Sequence, residues 1–359
     1  MVGHKLRWGV LSTANIGRAA VIPAIQHSEN GEVVAVASRD EQKGRDFAAR
    51  AGIGRSYGSY EALLAASDID AVYISLPNSL HHEWSIKAAE AGKHILCEKP
   101  LALSAAECEQ MESAARRHHV VLMEAFMYRF HPQTERVIAL LREGALGEVR
   151  LIHSAFTFRV SNPANIRLQA ELGGGSLMDV GCYCVNLSRT LAGAQPHVAR
   201  AAVRNPVGVV LADLEPIEVQ ATANWGPSGV DAQMAGCLRY ENGLLATFDC
   251  ALTLERREYY EVGGAEGSLL VPAAFLPGTG DTTIRLRQGR KGESVLSIGG
   301  VDEYRLMVEH FADCVLHGTP LRYEPSEAAA NMRVIEALYR SARNGGQIEK
   351  VAGARPAAA

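Results

Sequence analysis

The chain has 359 residues, 47% of them apolar, which is more than one ordinary core holds and makes two domains the expectation. Lysine and arginine number 36 against 40 acidic residues, a formal balance of −4, so the chain carries neither the basic footprint of a nucleic-acid binder nor a basic run for an acidic membrane. No apolar segment approaches the roughly 20 residues of a membrane helix. The seven cysteines (Cys97, Cys108, Cys182, Cys184, Cys237, Cys250, Cys314) are scattered without a CxxC pair, and His81-His82 and His118-His119 are adjacent rather than helix-spaced, so no metal site is expected. Met1 to Arg7 runs almost directly into a strand, leaving no room for a secretory leader, and unpaired thiols flanked by apolar residues suit a reducing compartment. A cytoplasmic protein is expected, with no nucleic acid and no membrane among its partners.

Leu6 to Leu11 reads as a strand, followed by Ser12-Thr13-Ala14-Asn15-Ile16-Gly17 and a helix from about Arg18 to Gln26. A strand, a turn of small residues and a helix start allow backbone N–H groups and the helix dipole to hold a pyrophosphate. Laid on G-x-G-x-x-G, only the third glycine is present, as Gly17, with Ser12 and Ala14 in the first two places. A tight βα turn without a ligand explains the same residues.

Glu32 to Ser38 reads as a second parallel strand, its near-continuous Val33-Val34-Ala35-Val36-Ala37 being the run of a strand covered on both faces. It ends in Ser38-Arg39-Asp40, about twenty residues past the turn, where a dinucleotide's ribose contact falls. An acid there would take the ribose hydroxyls of NAD, and an arginine a 2′-phosphate, whose oxygens a guanidinium meets bidentately. Arg39 therefore argues for NADP, while Asp40, one place late, keeps NAD open; a surface arginine is the plain alternative.

The alternation continues with a helix near Gln42 to Ala51, a loop containing Tyr57, a helix near Tyr60 to Ala66, a strand Ala71 to Leu76, a helix near His82 to Ala91 and a strand His94 to Glu98. That spacing specifies a doubly wound parallel sheet. Pro77-Asn78 breaks the chain just past a strand tip, where Asn78 suits a cofactor ribose or carboxamide and equally suits a turn. Glu98-Lys99-Pro100 delivers a charged pair to the carboxyl end of a buried strand, the edge at which open α/β sheets bind ligands. Proline keeps the residue before it extended, so Lys99 is held out of the next helix. A solvated turn is the competing explanation. A helix from Ser104 to about His118 and the strand Val120 to Glu124 complete this half.

The second half changes grammar. After a helix from about Pro132 to Glu143, a long strand Val149 to Phe158 and short strands near 220–225, 235–240, 244–250, 258–263, 268–271, 283–286 and 293–297 indicate a largely antiparallel sheet, with Asn242-Gly243 as a hairpin turn. Helices near 303–317 and 326–344 follow. The expected division is a Rossmann domain over 1–124, an α+β substrate-binding and oligomerisation domain over 125–351 whose last helices are free to pack back on the first, and a disordered tail at 352–359.

Within that half, Gly173-Gly174-Gly175 leads into a helix bearing Asp179 and Tyr183, four apart and therefore on one face. Ser176 and Asp179 also fit a capping box, which would spend the carboxylate on the helix start and leave Tyr183 a core aromatic.

These elements together resemble the glucose-fructose oxidoreductase and inositol dehydrogenase family over nearly the whole length: the turn ending in Gly17, Pro77-Asn78 with His81, Gly92-Lys93-His94 leading to Glu98-Lys99-Pro100, and Asp179 with Tyr183. Glu124-Ala125-Phe126-Met127-Tyr128-Arg129-Phe130-His131-Pro132 and Asn165-Ile166-Arg167-Leu168 resemble its branch of NADP-dependent xylose and dihydrodiol dehydrogenases; inositol dehydrogenases usually carry histidine in place of Tyr183. The resemblance implies that Lys99 and Tyr183 face the reacting carbon, permits a cis Lys99-Pro100 bond, and implies dimers or larger assemblies formed through the second-domain sheet.

The function expected is NADP-dependent oxidation of an aldose at C1, with Tyr183 exchanging the proton, Lys99 lowering its pKa and Asp179 orienting the sugar. The cofactor contacts expected are Ser12, Thr13, Ala14, Asn15, Ile16, Gly17, Ser38, Arg39, Leu76, Asn78, His81, Glu98 and Lys99. Tyr128, Phe158 and Arg167 are candidates for the substrate wall, each also explicable as packing or surface. Reduction of a keto-sugar, nucleotide-linked or not, oxidation of a trans-dihydrodiol, and a cofactor-binding regulator without turnover are the alternatives. The partners expected are a sugar or polyol and further copies of the chain in a homodimer or tetramer.

Overall fold

The computed structural model describes residues 4–195 and 214–353. These fall into two compact units, one drawn from Met1–Phe130 and Asp302–Ala329, the other from His131–Val301 and Ala330–Ala359. The expected tail at 352–359 lies, from residue 354 onward, outside the described residues.

The first unit is built on six parallel strands: β1 (Leu6–Leu11), β2 (Gly31–Ala37), β3 (Arg55–Tyr57), β4 (Ala71–Ile74), β5 (His94–Cys97) and β6 (Leu122–Glu124), in the order β3-β2-β1-β4-β5-β6. This is the doubly wound sheet expected from the sequence. β1, β4 and β5 are apolar and almost entirely buried because helices cover both faces. One expectation is corrected at the edge, where the segment with Tyr57 is the short strand β3 rather than a loop, Arg55, Ser56 and Tyr57 pairing with Ala35, Val36 and Ala37. The helices are α1 (Ile22–His27), α2 (Glu41–Ala51), α3 (Tyr60–Leu64), α4 (His81–Glu90) and α5 (Ala105–Arg117). A five-residue π turn, Gly17–Val21, precedes α1. The chain returns to this unit late, when Trp8 packs its ring 5.0 Å from Phe311 and the Asn30 amide donates to the Glu309 carbonyl at 2.9 Å and to Asp313 at 2.8 Å.

The second unit contains α6 (Pro132–Arg142), then β7 (Val149–Arg159) and, after a further π turn at Leu177–Gly181, α7 (Cys182–Gly193). The strands β8 (Pro216–Trp225), β9 (Asp231–Tyr240), β10 (Leu245–Ala251), β11 (Thr253–Gly264), β12 (Gly267–Val271), β13 (Thr282–Gln288), β14 (Gly292–Ile298) and β15 (Glu349–Lys350) join β7 in one sheet. Its order is β14-β13-β12-β11-β7-β10-β9-β8-β15, antiparallel except where β10 runs parallel to β7. Gly243 takes a positive φ in the Asn-Gly turn between β9 and β10. α8 (Glu303–His317), in the first unit, and α9 (Ser326–Arg343) complete the described helices. Among the described residues no helix is long and apolar enough to cross a membrane.

Candidate active site

In the first unit the expected residues lie at the carboxyl ends of β1, β2, β4 and β5. Ser12 ends β1 with φ +120°, a conformation that favours glycine, and it stands in the first place of the glycine pattern. Its hydroxyl compensates: it donates to the Ser75 carbonyl at 3.1 Å and accepts from the Ala14 N–H at 2.8 Å, tying β1 to the end of β4. Thr13, Ala14, Asn15 and Ile16 carry the chain from there into the helix, and Arg18 bonds the Asn15 side chain at 2.8 Å. At Gly17 an added side chain would meet nothing in the protein closer than 3.7 Å. The fold alone does not demand glycine there, since a Cβ would make ordinary contacts with Tyr73, Ser75 and Ile22. Beside it lies a cleft of about 590 Å³ lined by Thr13, Asn15, Arg18, Phe47 and Arg50.

At the tip of β2 the two competing residues are separated by what they do. Asp40 caps α2, its carboxylate accepting the Lys43 N–H at 3.0 Å. Arg39 is exposed and lies against the Tyr60 phenol, whose pKa burial raises and the guanidinium pulls back. Ser38 is buried and accepts the Asp40 N–H at 3.2 Å.

Past β4, Leu76 and Asn78 form the turn before α4, with Asn78 opening a 3-10 turn, Asn78–Leu80. His81 is wholly buried, one ring nitrogen 2.9 Å from the Leu76 carbonyl and the other 2.9 Å from the Pro100 carbonyl. Its side chain thus joins the β4 turn to the β5 turn. Burial holds its pKa below the usual value, the nearby Lys99 ammonium adding to this against the two carbonyls.

Glu98 and Lys99 follow β5 half-buried, and the Lys99-Pro100 bond is cis. Tyr73, wholly buried on β4, donates to Glu98 Oε1 at 2.6 Å. Glu124, at the end of β6, accepts the Leu101 N–H at 2.8 Å, and its own carbonyl accepts the Tyr323 hydroxyl at 2.6 Å. Tyr73, Glu124 and Tyr323 are supports that sequence reasoning missed, their partners lying 23 to 199 residues away. Tyr128 is wholly buried and sits edge-on to Phe126, ring centres 6.0 Å apart.

In the second unit the structure brings Phe158, Arg167 and Asp179 together, and Tyr183 stands four residues beyond Asp179 on the same helical segment. Arg167 Nε donates to Asp179 Oδ2 at 2.7 Å, and its guanidinium lies 5.6 Å from the Phe158 ring. Tyr183 is walled by Phe156 and Phe275, each with its ring centre 5.4 Å away, and those two rings stack on each other at 5.1 Å. Sequence reasoning missed both: Phe156 stands in a run of buried residues on β7, Ser154 to Thr157, that does not alternate, and Phe275 lies between strands, where no periodicity marks it.

The triple glycine has a steric cause. A side chain on Gly174 would come within 2.4 Å of the Arg167 carbonyl, and the Gly175 N–H donates to that carbonyl at 2.9 Å. The loop therefore holds the backbone of Arg167 against the start of the helix that carries Asp179. The capping box does not form: Ser176 already has helical angles, φ −68° and ψ −36°, and makes no cap bond from its side chain. Asp179 is thereby left to Arg167 rather than spent on the helix end. Among the described residues no group of three potential metal ligands occurs.

The comparisons with known proteins agree with this architecture. Residues 6–126 match the model of the oxidoreductase family with an NAD-binding Rossmann fold, GFO/IDH/MocA, and residues 134–270 match that family's C-terminal domain. A D-xylose 1-dehydrogenase (NADP(+)) from Haloferax volcanii is 40% identical over 96% of this chain and 99% of its own. A trans-1,2-dihydrobenzene-1,2-diol dehydrogenase from Xenopus tropicalis is 32% identical over 74% of this chain and 75% of its own. A 3-ketoreductase from Actinomadura kijaniata, solved with NADP and TDP-benzene, superposes with a TM-score of 0.84 at 29% identity, covering 94% of this chain and 98% of that one. It has also been solved with one tyrosine changed to phenylalanine and with one lysine changed to alanine. Matched in both its units and along nearly its whole length, the chain belongs to the GFO/IDH/MocA family of oxidoreductases.

Proposed function

We propose that this oxidoreductase uses NADP to oxidise an aldose at C1, giving the lactone. The observation that carries the cofactor assignment is the division of labour at the β2 tip, where Asp40 is committed to capping α2 and Arg39 is exposed without a carboxylate partner among the described residues. The turn from Ser12 to Gly17 would hold the pyrophosphate on backbone N–H groups and the helix start, Arg39 and Ser38 the 2′-phosphate, and Asn78, Glu98 and Lys99 the nicotinamide end.

A bound oxidised nicotinamide would supply the hydride acceptor. Tyr183 takes the proton of the C1 hydroxyl, because a hemiacetal carbon cannot release hydride to become the lactone carbonyl without losing that proton. A phenol of pKa near about 10 is a weak base at neutral pH, and a neighbouring ammonium favours its ionised form by roughly one to three units. That is the part assigned to Lys99, which also bonds the reacting oxygen. Asp179, oriented by Arg167, binds the sugar hydroxyls, and the rings of Phe158, Phe156 and Phe275 support the sugar and Tyr183. The D-xylose 1-dehydrogenase relative supports an aldose as substrate. The test is formation of reduced nicotinamide, read by absorbance, with D-xylose, other aldoses, polyols and trans-dihydrodiols, each run with NADP and with NAD.

The second reading is reduction of a keto-sugar with NADPH, favoured by the fold likeness to the ketoreductase solved with a TDP compound. The same residues serve, with the proton moving from Tyr183 to the carbonyl oxygen and Lys99 polarising it. No oxidation of any aldose in the screen, with reduction of a TDP-linked keto-sugar instead, would select it.

We also propose that the protein works as a homodimer or tetramer assembled through the sheet of the second unit. Leu151 and Leu245, opposite each other on β7 and β10, are 43% and 40% exposed in the middle of that sheet.

A further inference from the structure

Asp231 is the first residue of β9 and is wholly buried, yet among the described residues no cation bonds its carboxylate. Three donors hold it instead. The Ser176 hydroxyl donates to Oδ2 at 2.6 Å and the Leu177 N–H to the same oxygen at 2.7 Å, while the Tyr339 hydroxyl donates to Oδ1 at 2.7 Å. Two of these come from the first residues of the helical segment that carries Asp179 and Tyr183, and the third comes from α9.

A helix start leaves N–H groups without partners and carries partial positive charge, so a carboxylate from elsewhere in the chain satisfies both needs where the local residue does not. Here the local residue does not, since Ser176 has entered the helix and turned its hydroxyl to Asp231. The fit is close. A side chain on Gly175, which has φ +126°, would begin 2.2 Å from Asp231 Oδ1 and 2.9 Å from the Tyr339 oxygen. α9 touches the same segment a second time, the Asn331 amide donating to the Cys182 carbonyl at 3.4 Å, one residue before Tyr183.

We propose that Asp231 is the positioning residue of the active site: its carboxylate, held by Tyr339, pins the start of the helix at Ser176 and Leu177 and so sets the depth and rotation at which Asp179 and Tyr183 are presented. The proposal rests on the assignment of Asp179 and Tyr183 to substrate and proton transfer given above. Asp179 stands three residues and Tyr183 seven residues beyond Ser176, so a slip of the helix start carries both. A displacement of about 1 Å of a reacting group costs on the order of a hundredfold in rate. Burial pushes the Asp231 carboxyl up in pKa, and the three donors oppose that by bonding its charged form.

The experiment measures kcat per NADPH-binding site, counted by fluorescence titration so that loss of folded protein drops out, for Asp231→Asn, Ser176→Ala, Tyr339→Phe and Tyr183→Phe. Asp231→Asn is expected to lower kcat per site by about 10- to 100-fold, and Ser176→Ala and Tyr339→Phe by several-fold, all with the NADPH dissociation constant within about twofold of the parent. Should Asp231→Asn give no folded enzyme, the two single-donor variants decide by the same criterion. Parental kcat per site in the Asp231, Ser176 and Tyr339 variants that fold, with Tyr183→Phe inactive, would overturn the positioning role alone. Parental kcat in Tyr183→Phe would instead overturn the assignment on which it rests.

Discussion

Tyr73 donates its phenol hydrogen to Glu98 over 2.6 Å, and the edge of the same ring lies 3.7 Å from the point at which a side chain on Gly17 would begin. One wholly buried side chain on β4 therefore lies under Gly17 and bonds the carboxylate next to Lys99. Burial, and then Glu98, push the phenol well above its usual pKa, so it stays a donor at every working pH. Tyr73→Phe keeps the ring and removes the donor, leaving a half-buried carboxylate oxygen short of one bond. A cost of about 1–3 kcal/mol is expected, a fall of several degrees in Tm, together with weaker NADPH binding. Calorimetry and fluorescence titration check this; no change in either would mean that the Tyr73 bond contributes nothing to the site.

Arg39 and Asp40 adjoin in sequence and should separate in function. Arg39→Ala is expected to reduce the NADP over NAD preference in kcat/KM by at least tenfold while leaving Tm near its parental value, because the side chain is exposed. Asp40→Ala is expected to cost about 1 kcal/mol of stability through the lost cap of α2 and to leave the preference unaltered. The opposite assortment, with Asp40→Ala changing selectivity, would transfer the ribose contact to the acid.

Lys99→Ala and Tyr183→Phe should each lower kcat by about 10² or more, with the NADPH dissociation constant little affected by Tyr183→Phe. In the parent enzyme the acidic limb of kcat/KM should report the proton-accepting group of the free enzyme, and Lys99→Ala should move that limb to higher pH as the ammonium is removed. Stopped-flow and steady-state rates across pH decide. Near-parental turnover in both variants would remove these residues from the chemistry.

Much of this was legible in the amino-acid order, for physical reasons that differ by element. β1, β4 and β5 announce themselves as short apolar runs because parallel strands are covered on both faces. β3 does not, since a three-residue edge strand of Arg55, Ser56 and Tyr57 carries no period. Asp179 and Tyr183 were readable as a pair on one helix face, but whether Asp179 capped its helix was not, because S-x-x-D reads the same whether Ser176 stands before the helix or inside it. The true anchor, Asp231, lies 55 residues from Ser176, beyond any local pattern. At the β2 tip the sequence offered both Arg39 and Asp40, and only the bond to the Lys43 N–H shows which of them is already engaged.

Acid stability should depend on His310. Burial, then the Arg322 guanidinium, lower its pKa from 6.5 to about 4, and its Nε2 accepts the Arg322 N–H at 3.0 Å, which requires the neutral ring. The unfolded chain binds this proton below pH 6.5 and the folded chain only near pH 4, so the contribution is fully present above 6.5 and is lost as pH falls through that window. The loss amounts to about 3 kcal/mol by pH 4. His310→Gln should therefore show a shallower decline of Tm between pH 6.5 and 4 than the parent, whatever its stability at neutral pH. Parallel Tm curves would show that the ring does not carry this linkage.

The assembly proposed for the second unit makes a separable prediction. Leu151 and Leu245 face each other across β7 and β10, central strands of a nine-stranded sheet, and each leaves two-fifths of its surface open in the single chain. Central strands of a sheet packed on one side keep polar residues on the other unless something covers that face. If a second copy covers it, replacing both leucines by aspartate removes apolar burial and places like charges across the contact, weakening association by on the order of 3 kcal/mol, about a hundredfold in dissociation constant. Light scattering across a dilution series should then show monomers at concentrations where the parent is dimeric or larger, with the sheet's circular dichroism unchanged. A parent that is monomeric at micromolar concentration, or a double variant that assembles as the parent does, would place the assembly surface elsewhere on the molecule.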